Sequence, residues 1–347
     1  MRPRITIRDS VIGDGQPLFV MAECGVTCNY DMTVTKELID AVKEAGADAI
    51  KLIFWFPDEI MSDKTVVYNY ETVEGPKSEN MYKMLSRLRF SFEQWVEIKK
   101  YADKKEVILF STVNSPTGIE WAEKLGLEAY KLSSWDYNDA PLWRKIAALG
   151  KPMLIDTGPV DVTDAAKVIE LMQEEGNDQS VLVHCCHADT YDELNMATIP
   201  YLRETFQTVA GYSSRDRDPA PDIMAVTLGS SVLEKRLTMS RTLPGHHHVL
   251  SLEPKEFAGH VKVLRQVQAG VGVPDLIPSA ADRAERKKWF RHLAARAPVK
   301  KGTVLTEEHL IGMRPENGIS PEYLGYFLGK PLLKNLAENE GITLDHV

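Results

Sequence analysis

Short apolar runs recur along the chain, and most are separated by stretches with helical spacing. Leu18–Glu23 is a compact apolar run that ends in an acid. Val34, Leu38, Ile39 and Val42 then repeat at helical intervals until Gly46, and the run 47–53 is apolar again. Strand, helix and strand in that order make a βαβ unit. The same reading places strands at 106–112, 129–134, 152–158, 180–186, 207–213 and 230–235. Helical spacing covers 91–101, 116–125, 140–149, 162–175 and 256–269. Pro116 suits a first helical position, where its missing N–H costs nothing. Eight short buried strands, most followed by a helix, predict an α/β protein built on a (β/α)8 TIM barrel of about 250 residues.

Three stretches break this rhythm. Residues 1–18 read as a preface with a short hairpin around Gly13-Asp14-Gly15. Residues 55–91 are polar, tyrosine-rich and irregular, and a loop of that length inside a compact domain usually carries function. Residues 271–287, with Pro274 and Pro278, read as a linker. From Trp289 the texture changes to short strands and turns, so a barrel over 1–280 is expected to be followed by a linker and small mixed domain over 281–347.

Composition narrows the function classes. A formal net charge of −9 argues against a general nucleic-acid binder, which would need Lys and Arg to neutralise phosphates. A small anionic substrate held by a few local cations remains compatible. No apolar run is long enough to span a bilayer, and the N-terminus lacks the apolar core of a signal peptide, so no membrane partner and a cytoplasmic location are expected. Cys24, Cys28, Cys185 and Cys186 are then expected to be free thiols.

In such barrels the chemistry sits at the C-terminal ends of the strands. Those positions hold Glu23, Lys51, Thr112, Lys131 with Ser134, Asp156, Cys186 with His187, Ser213 with Arg215, and Glu234 with Arg236. A strand end facing the barrel interior is a poor place for an unpaired charge unless a ligand or a partner meets it. Taken alone, Arg215 and Arg236 read as surface arginines paired with Asp216 or Asp218, an arrangement worth little. At neighbouring barrel strand ends they read instead as an anion site, because guanidinium keeps its charge and offers a planar fork of donors.

The ordered motifs resemble the sialic acid synthase family, which makes nonulosonic acids such as N-acetylneuraminate. They are AECGV at 22–26, EAGADAIK at 44–51, FST at 110–112, AYKLSS at 129–134, GKP at 150–152, DTG at 156–158 and VHC at 183–185. GYS at 211–213, LEK at 233–235, PG at 244–245 and SLEP at 251–254 complete the barrel. The tail, KKGTVLTEEHL from 300 and RPENGISP from 314, resembles the antifreeze-like (SAF, β-clip type) domain that ends those proteins. The resemblance implies condensation of phosphoenolpyruvate with an acylated amino-sugar aldehyde, aided by a divalent metal such as Mn or Mg. It also implies a domain-swapped homodimer in which Arg314 matches an arginine that reaches the sugar. Lys51 and Lys131 would supply cations, Thr112, Ser134 and Ser213 neutral donors, and Glu23 would handle a proton.

The departures fall in the same cleft. Two metal-binding histidines of the family are replaced by Arg215 and Arg236, and arginine stays protonated, so it is no metal ligand. No cofactor is therefore expected, and the two arginines are expected to replace the metal. Asp156 stands where the family has a serine facing the phosphate, and an Asp156–arginine pair at the cleft floor is expected to offset the repulsion. On the sugar side Ile53 replaces a glutamine, His247 an aspartate and Asp136 a glutamate, with Asn80 and His187 as further contacts. The cysteines and histidines match no tight metal spacing. The expected activity is a metal-independent condensation of phosphoenolpyruvate, or a similar anionic three-carbon donor, with a sugar aldehyde. Changed chemistry on the same scaffold (a lyase or transferase acting on another carboxylated or phosphorylated sugar) and a non-catalytic sugar-acid-binding protein are the alternatives.

Overall fold

The computed structural model describes residues 3–188, 190–215 and 217–347. The chain divides into two compact units, Met1–Gly272 and Val273–Val347. In the first, eight parallel strands close into a barrel. They are β1 (Phe19–Glu23), β2 (Ala49–Ile53), β3 (Ile108–Thr112), β4 (Tyr130–Leu132), β5 (Met153–Asp156), β6 (Ser180–Cys185), β7 (Val209–Ser213) and β8 (Val232–Arg236). Eight helices follow them in order: α1 (Met32–Glu44), α2 (Phe92–Lys104), α3 (Pro116–Leu125), α4 (Ala140–Ala147), α5 (Val162–Glu174), α6 (Thr198–Phe206), α7 (Ala220–Thr227) and α8 (Pro254–Val271). Two of them, α6 and α7, are not evident in the sequence pattern.

Side chains alternate across each strand, and the two faces have different jobs. Outward residues such as Val20, Leu52, Leu109, Ile155 and Leu233 pack in one core cluster with the helix residues Leu38, Val42, Trp95 and Trp143. Inward residues such as Phe19, Met21, Phe110, Leu154, Val183 and Val232 fill the barrel's N-terminal half. Ile5, Ile7 and Ile12 of the hairpin Arg4–Ile7/Ser10–Gly13 belong to this inner cluster. That hairpin turns at Arg8 and Asp9, earlier in the chain than the Gly13–Gly15 turn expected. Towards the C-terminal ends the inward positions turn polar, with Glu23, Lys51, Thr112, Lys131, Asp156, Ser213, Glu234 and Arg236. The apolar half is a packed floor, and the polar half can hold a ligand.

The irregular stretch between β2 and α2 is ordered. It contains an antiparallel hairpin, Val67–Thr72 with Gly75–Asn80, followed by the short helix Met81–Arg87. The second unit holds the helix Ala280–Trp289, the paired strands His292–Ala295 and Leu310–Met313, and its own core of Leu293, Leu305, Leu310, Phe327 and Leu336. Among the described residues, no helix is long and apolar enough to cross a membrane.

Candidate active site

A cavity of about 460 Å³ opens at the C-terminal ends of the strands. Its lining includes Glu23, Lys51, Thr112, Ser134, Asp136, Asp156, His187, Ser213, Glu234, Arg236 and His247. Eleven of the fifteen residues expected at the site thus line one cavity. Lys131 lies just beneath, fully buried and bonded to two of them.

Five charged side chains form an alternating row. Lys51 Nζ binds Glu23 and, at 2.8 Å, Glu234 Oε1. Lys131 Nζ binds Glu234 Oε2 at 2.6 Å and also Asp156. Glu234 therefore bridges two lysines, and each lysine lies between two acids. Lys131 is 0 % exposed, Glu234 4 % and Lys51 6 %. Charges this deep persist only when paired and hydrogen-bonded. Register explains part of the row, because Glu23 is paired with Lys51 on β2 and with Arg236 on β8. The expected Asp156–arginine pair does not form. Lys131 sits on the adjacent strand β4, paired with Leu154, and reaches up to Asp156, whereas Arg236 lies on β8, three strands away around the barrel.

The row sets the protonation of its members. Burial would raise the Glu234 carboxyl, but Lys131 and Lys51 outweigh it and hold it near 2. For Asp156, burial wins and the nearby Glu234 adds to it against Lys131, so the carboxyl is pushed up to about 6. Burial would lower both lysines, yet the acids around them raise them. Three carboxylates against two lysines leave one negative charge when all are ionised, and Arg236 stands at the same level to balance it.

Local structure holds these groups in place. The Gly25 amide donates to Glu23 Oε1 at 2.9 Å. A Cβ at Gly25 would stand 2.5 Å from Ile53, so the close approach requires glycine. Gly158, at φ +41°, leaves room for Ser134, whose Oγ a Cβ there would overlap. Arg236 donates to the Arg215 carbonyl, and Arg215 Nη1 to the His187 carbonyl at 2.6 Å. Arg236 thus faces the cavity, while Arg215 does not line it and ties the β7 end to the loop after β6. Asp216 lies outside the described residues. Asp218 accepts from Tyr191 Oη and from the Ala220 amide.

One expected sugar contact stands elsewhere. Asn80 caps the helix Met81–Arg87, accepting from the Lys83 amide at 2.9 Å and donating to the Lys64 carbonyl. It does not line the cavity. Arg314, in the second unit, donates to the Trp289 carbonyl at 2.7 Å and lies over the Trp289 ring. Asp136 does line the cavity, with its carboxyl pushed up to about 6 by burial and by Asp139. His187 packs against Trp135 with ring centres 5.0 Å apart, and burial together with Arg215 and Arg236 lowers its pKa.

Sequence reasoning missed several lining residues. Trp55, Tyr68, Asn114, Trp135 and His246 all face the cavity. Asn114 Oδ1 and His247 Nδ1 are buried there without a hydrogen-bond partner. Such atoms cost stability unless a ligand meets them. His247 is also held in the left-handed region, at φ +70°. Burial, and then Arg236, keep its ring neutral. His247 was expected on the sugar side from the sequence, in place of an aspartate of the family, whereas nothing there signalled its unpaired nitrogen or its backbone.

The donor set does not fit a divalent metal. Guanidinium occupies both positions where the resemblance puts histidine ligands. Among the described residues no group of three or more His, Cys, Asp or Glu is arranged to hold an ion. The four cysteines are free thiols.

Comparison with known proteins agrees with the fold. The model of the NeuB family matches residues 38–275, and that of the SAF domain residues 290–347. An N,N'-diacetyllegionaminic acid synthase of Legionella pneumophila is 29% identical over 96% of each chain. The human N-acetylneuraminate-9-phosphate synthase is 27% identical over 95% of this chain and 93% of its own. The crystal structure of the spore coat polysaccharide biosynthesis protein SpsE of Bacillus subtilis superposes with a TM-score of 0.67 at 25% identity, covering 99% of both chains. The chain belongs to the NeuB family and ends in a SAF domain.

Proposed function

We propose that the protein condenses phosphoenolpyruvate, or a similar anionic three-carbon donor, with a sugar aldehyde to give a nonulosonic-type 2-keto acid, without a metal. The observation that carries this reading is the row Glu23–Lys51–Glu234–Lys131–Asp156 with Arg236 beside it, on the wall of one cavity in a NeuB-family barrel. The enol C=C pair forms the new bond to the aldehyde carbon, and the aldehyde oxygen takes a proton. Water adds to the former enol carbon, and phosphate leaves as the keto group forms. Of the two protons water gives up, one ends on the new hydroxyl and the other on phosphate.

In this reading Arg236 faces the aldehyde oxygen and stabilises the charge that develops on it. Thr112, Ser134 and Ser213 offer neutral donors to the donor's anionic groups. Asp156, with its carboxyl near 6, is the member of the row best suited to exchange a proton near neutral pH. The test is to incubate the protein in EDTA with phosphoenolpyruvate and 2-acetamido-2-deoxymannose, following phosphate release and keto-acid formation together. Equal amounts of both products, with kcat about 100-fold lower in Arg236→Ala, are expected. Products that form only after Mn²⁺ is added would sink metal independence, and none under either condition would sink the condensation.

The bond between Lys131 and Asp156 favours one other reading. A lysine already held by two acids is a weak phosphate ligand, so a lyase or transferase acting on another carboxylated sugar is the alternative.

A further inference from the structure

The last barrel strand sets a buried cation behind the cavity. On β8, Glu234 and Arg236 line the cavity, and Lys235 between them turns outward to meet α7. An ammonium has three N–H donors, and here each of them meets an acceptor. Lys235 Nζ donates to Asp222 Oδ2 at 2.5 Å, to Ser214 Oγ at 2.9 Å and to the Asp218 carbonyl at 3.3 Å. Lys235 and Asp222 are both fully buried. Asp222 lies in the first turn of α7, and His260 Nε2 of α8 comes within 2.8 Å of the same carboxylate oxygen. The ammonium therefore ties two points of the loop after β7, Ser214 and Asp218, to the helices outside the barrel.

Arg215, between those two points, holds Arg236. The Arg236 guanidinium donates to the Arg215 carbonyl, so its place is set by the loop as well as by its own strand. Arg215 in turn donates to the carbonyls of His187 and Ala188. Arg217 and Asp218 are exposed, so apolar packing does little to fix that end of the loop. Ser214 is anchored inside, its amide donating to the Glu234 carbonyl at 2.9 Å and its hydroxyl accepting from Lys235. A guanidinium that is to meet charge developing on one atom works only if it is held in place beforehand.

We infer that Lys235 is a positioning residue, which lies behind the cavity and sets where Arg236 stands in it by holding the loop on both sides of Arg215. The consequence for turnover rests on the condensation reading, whereas the anchoring is independent of it.

The test uses Ser214→Ala, which removes one tie, and the double variant Lys235→Met with Asp222→Asn, which removes the cation without stranding its partner's charge in the core. The double variant is therefore expected to fold, as checked by circular dichroism and a urea midpoint. In keto-acid formation from phosphoenolpyruvate and 2-acetamido-2-deoxymannose, kcat is expected to fall about 10-fold or more, with the KM for phosphoenolpyruvate within about 2-fold. In an Arg236→Ala background the same substitutions are expected to cost less than about 2-fold, because the group they position is gone. A second readout needs no turnover. Arg215 and Arg236 add to burial in lowering the His187 pKa, so in both variants His187 is expected to titrate at higher pH by NMR. An unmoved His187, a native kcat in the folded double variant, or equal losses with and without Arg236 would each overturn the inference. A shifted His187 with no turnover by the native chain would overturn the condensation reading and leave the positioning role standing.

Discussion

Asp156 decides how much of Lys131's charge a ligand can use. The lysine is fully buried and divides its donors between Asp156 and Glu234. An incoming anion must compete with the first of these and suffers its repulsion at close range. Replacing Asp156 with serine keeps a small polar group and removes the competing charge. Asp156→Ser is expected to bind phosphoenolpyruvate about 10-fold tighter or better by calorimetry, and weaker binding would mean that the carboxylate helps to hold the donor. The same residue gives stability a pH dependence. Its carboxyl sits near 6 in the folded protein against an ordinary 3.8. Between those values the unfolded chain releases this proton first, so the group's contribution to stability is fully present below 3.8 and falls as pH rises to about 6. Urea midpoints measured from about pH 4 to 7 should show that fall in the native chain relative to Asp156→Asn. Parallel curves for the two proteins would count against the raised value. None of this pairing was legible in the sequence. Residue types at strand ends pointed to a site, but which acid meets which lysine depends on reach across a closed barrel.

Strand β8 shows how one element serves two networks. Glu234 and Arg236 point inward, and Lys235 between them points outward under α7 and α8. There Lys235 Nζ binds Asp222 Oδ2 at 2.5 Å and Ser214 Oγ at 2.9 Å, and His260 Nε2 lies 2.8 Å from the same Asp222 oxygen. Lys235 and Asp222 are both 0 % exposed. Removing one member of such a pair strands the other charge, so Lys235→Met should lower unfolding stability by about 3–5 kcal/mol in urea titration. A loss under about 1 kcal/mol would show that the pair is replaceable by packing. A short apolar run made β8 readable as a strand, and the structure puts Lys235 on the face away from the cavity. The hairpin Val67–Asn80 was not readable in this way. Its side chains are exposed or half-buried on both faces, so no apolar period marks it. Only its length and tyrosine content set it apart as functional, and Tyr68 does face the cavity.

At the scale of the whole molecule, the order of eight buried apolar runs makes the barrel legible in the sequence itself. The change of texture after the linker region does the same for the second unit, which forms its own core. The replacement of two expected metal ligands by arginines is equally legible, because it concerns residue type alone. The structure adds that the two arginines are not equivalent. Arg236 faces the cavity, and Arg215 braces the loop behind it. On the proposed function, this barrel takes up its anionic donor with its own fixed charges and no divalent ion. The most direct measurement is a calorimetric titration of the metal-stripped protein with phosphoenolpyruvate, in EDTA and then in Mn²⁺. Saturable binding of one donor per chain, with the same affinity under both conditions, is expected. Binding that appears only with Mn²⁺, or no binding under either condition, would contradict it.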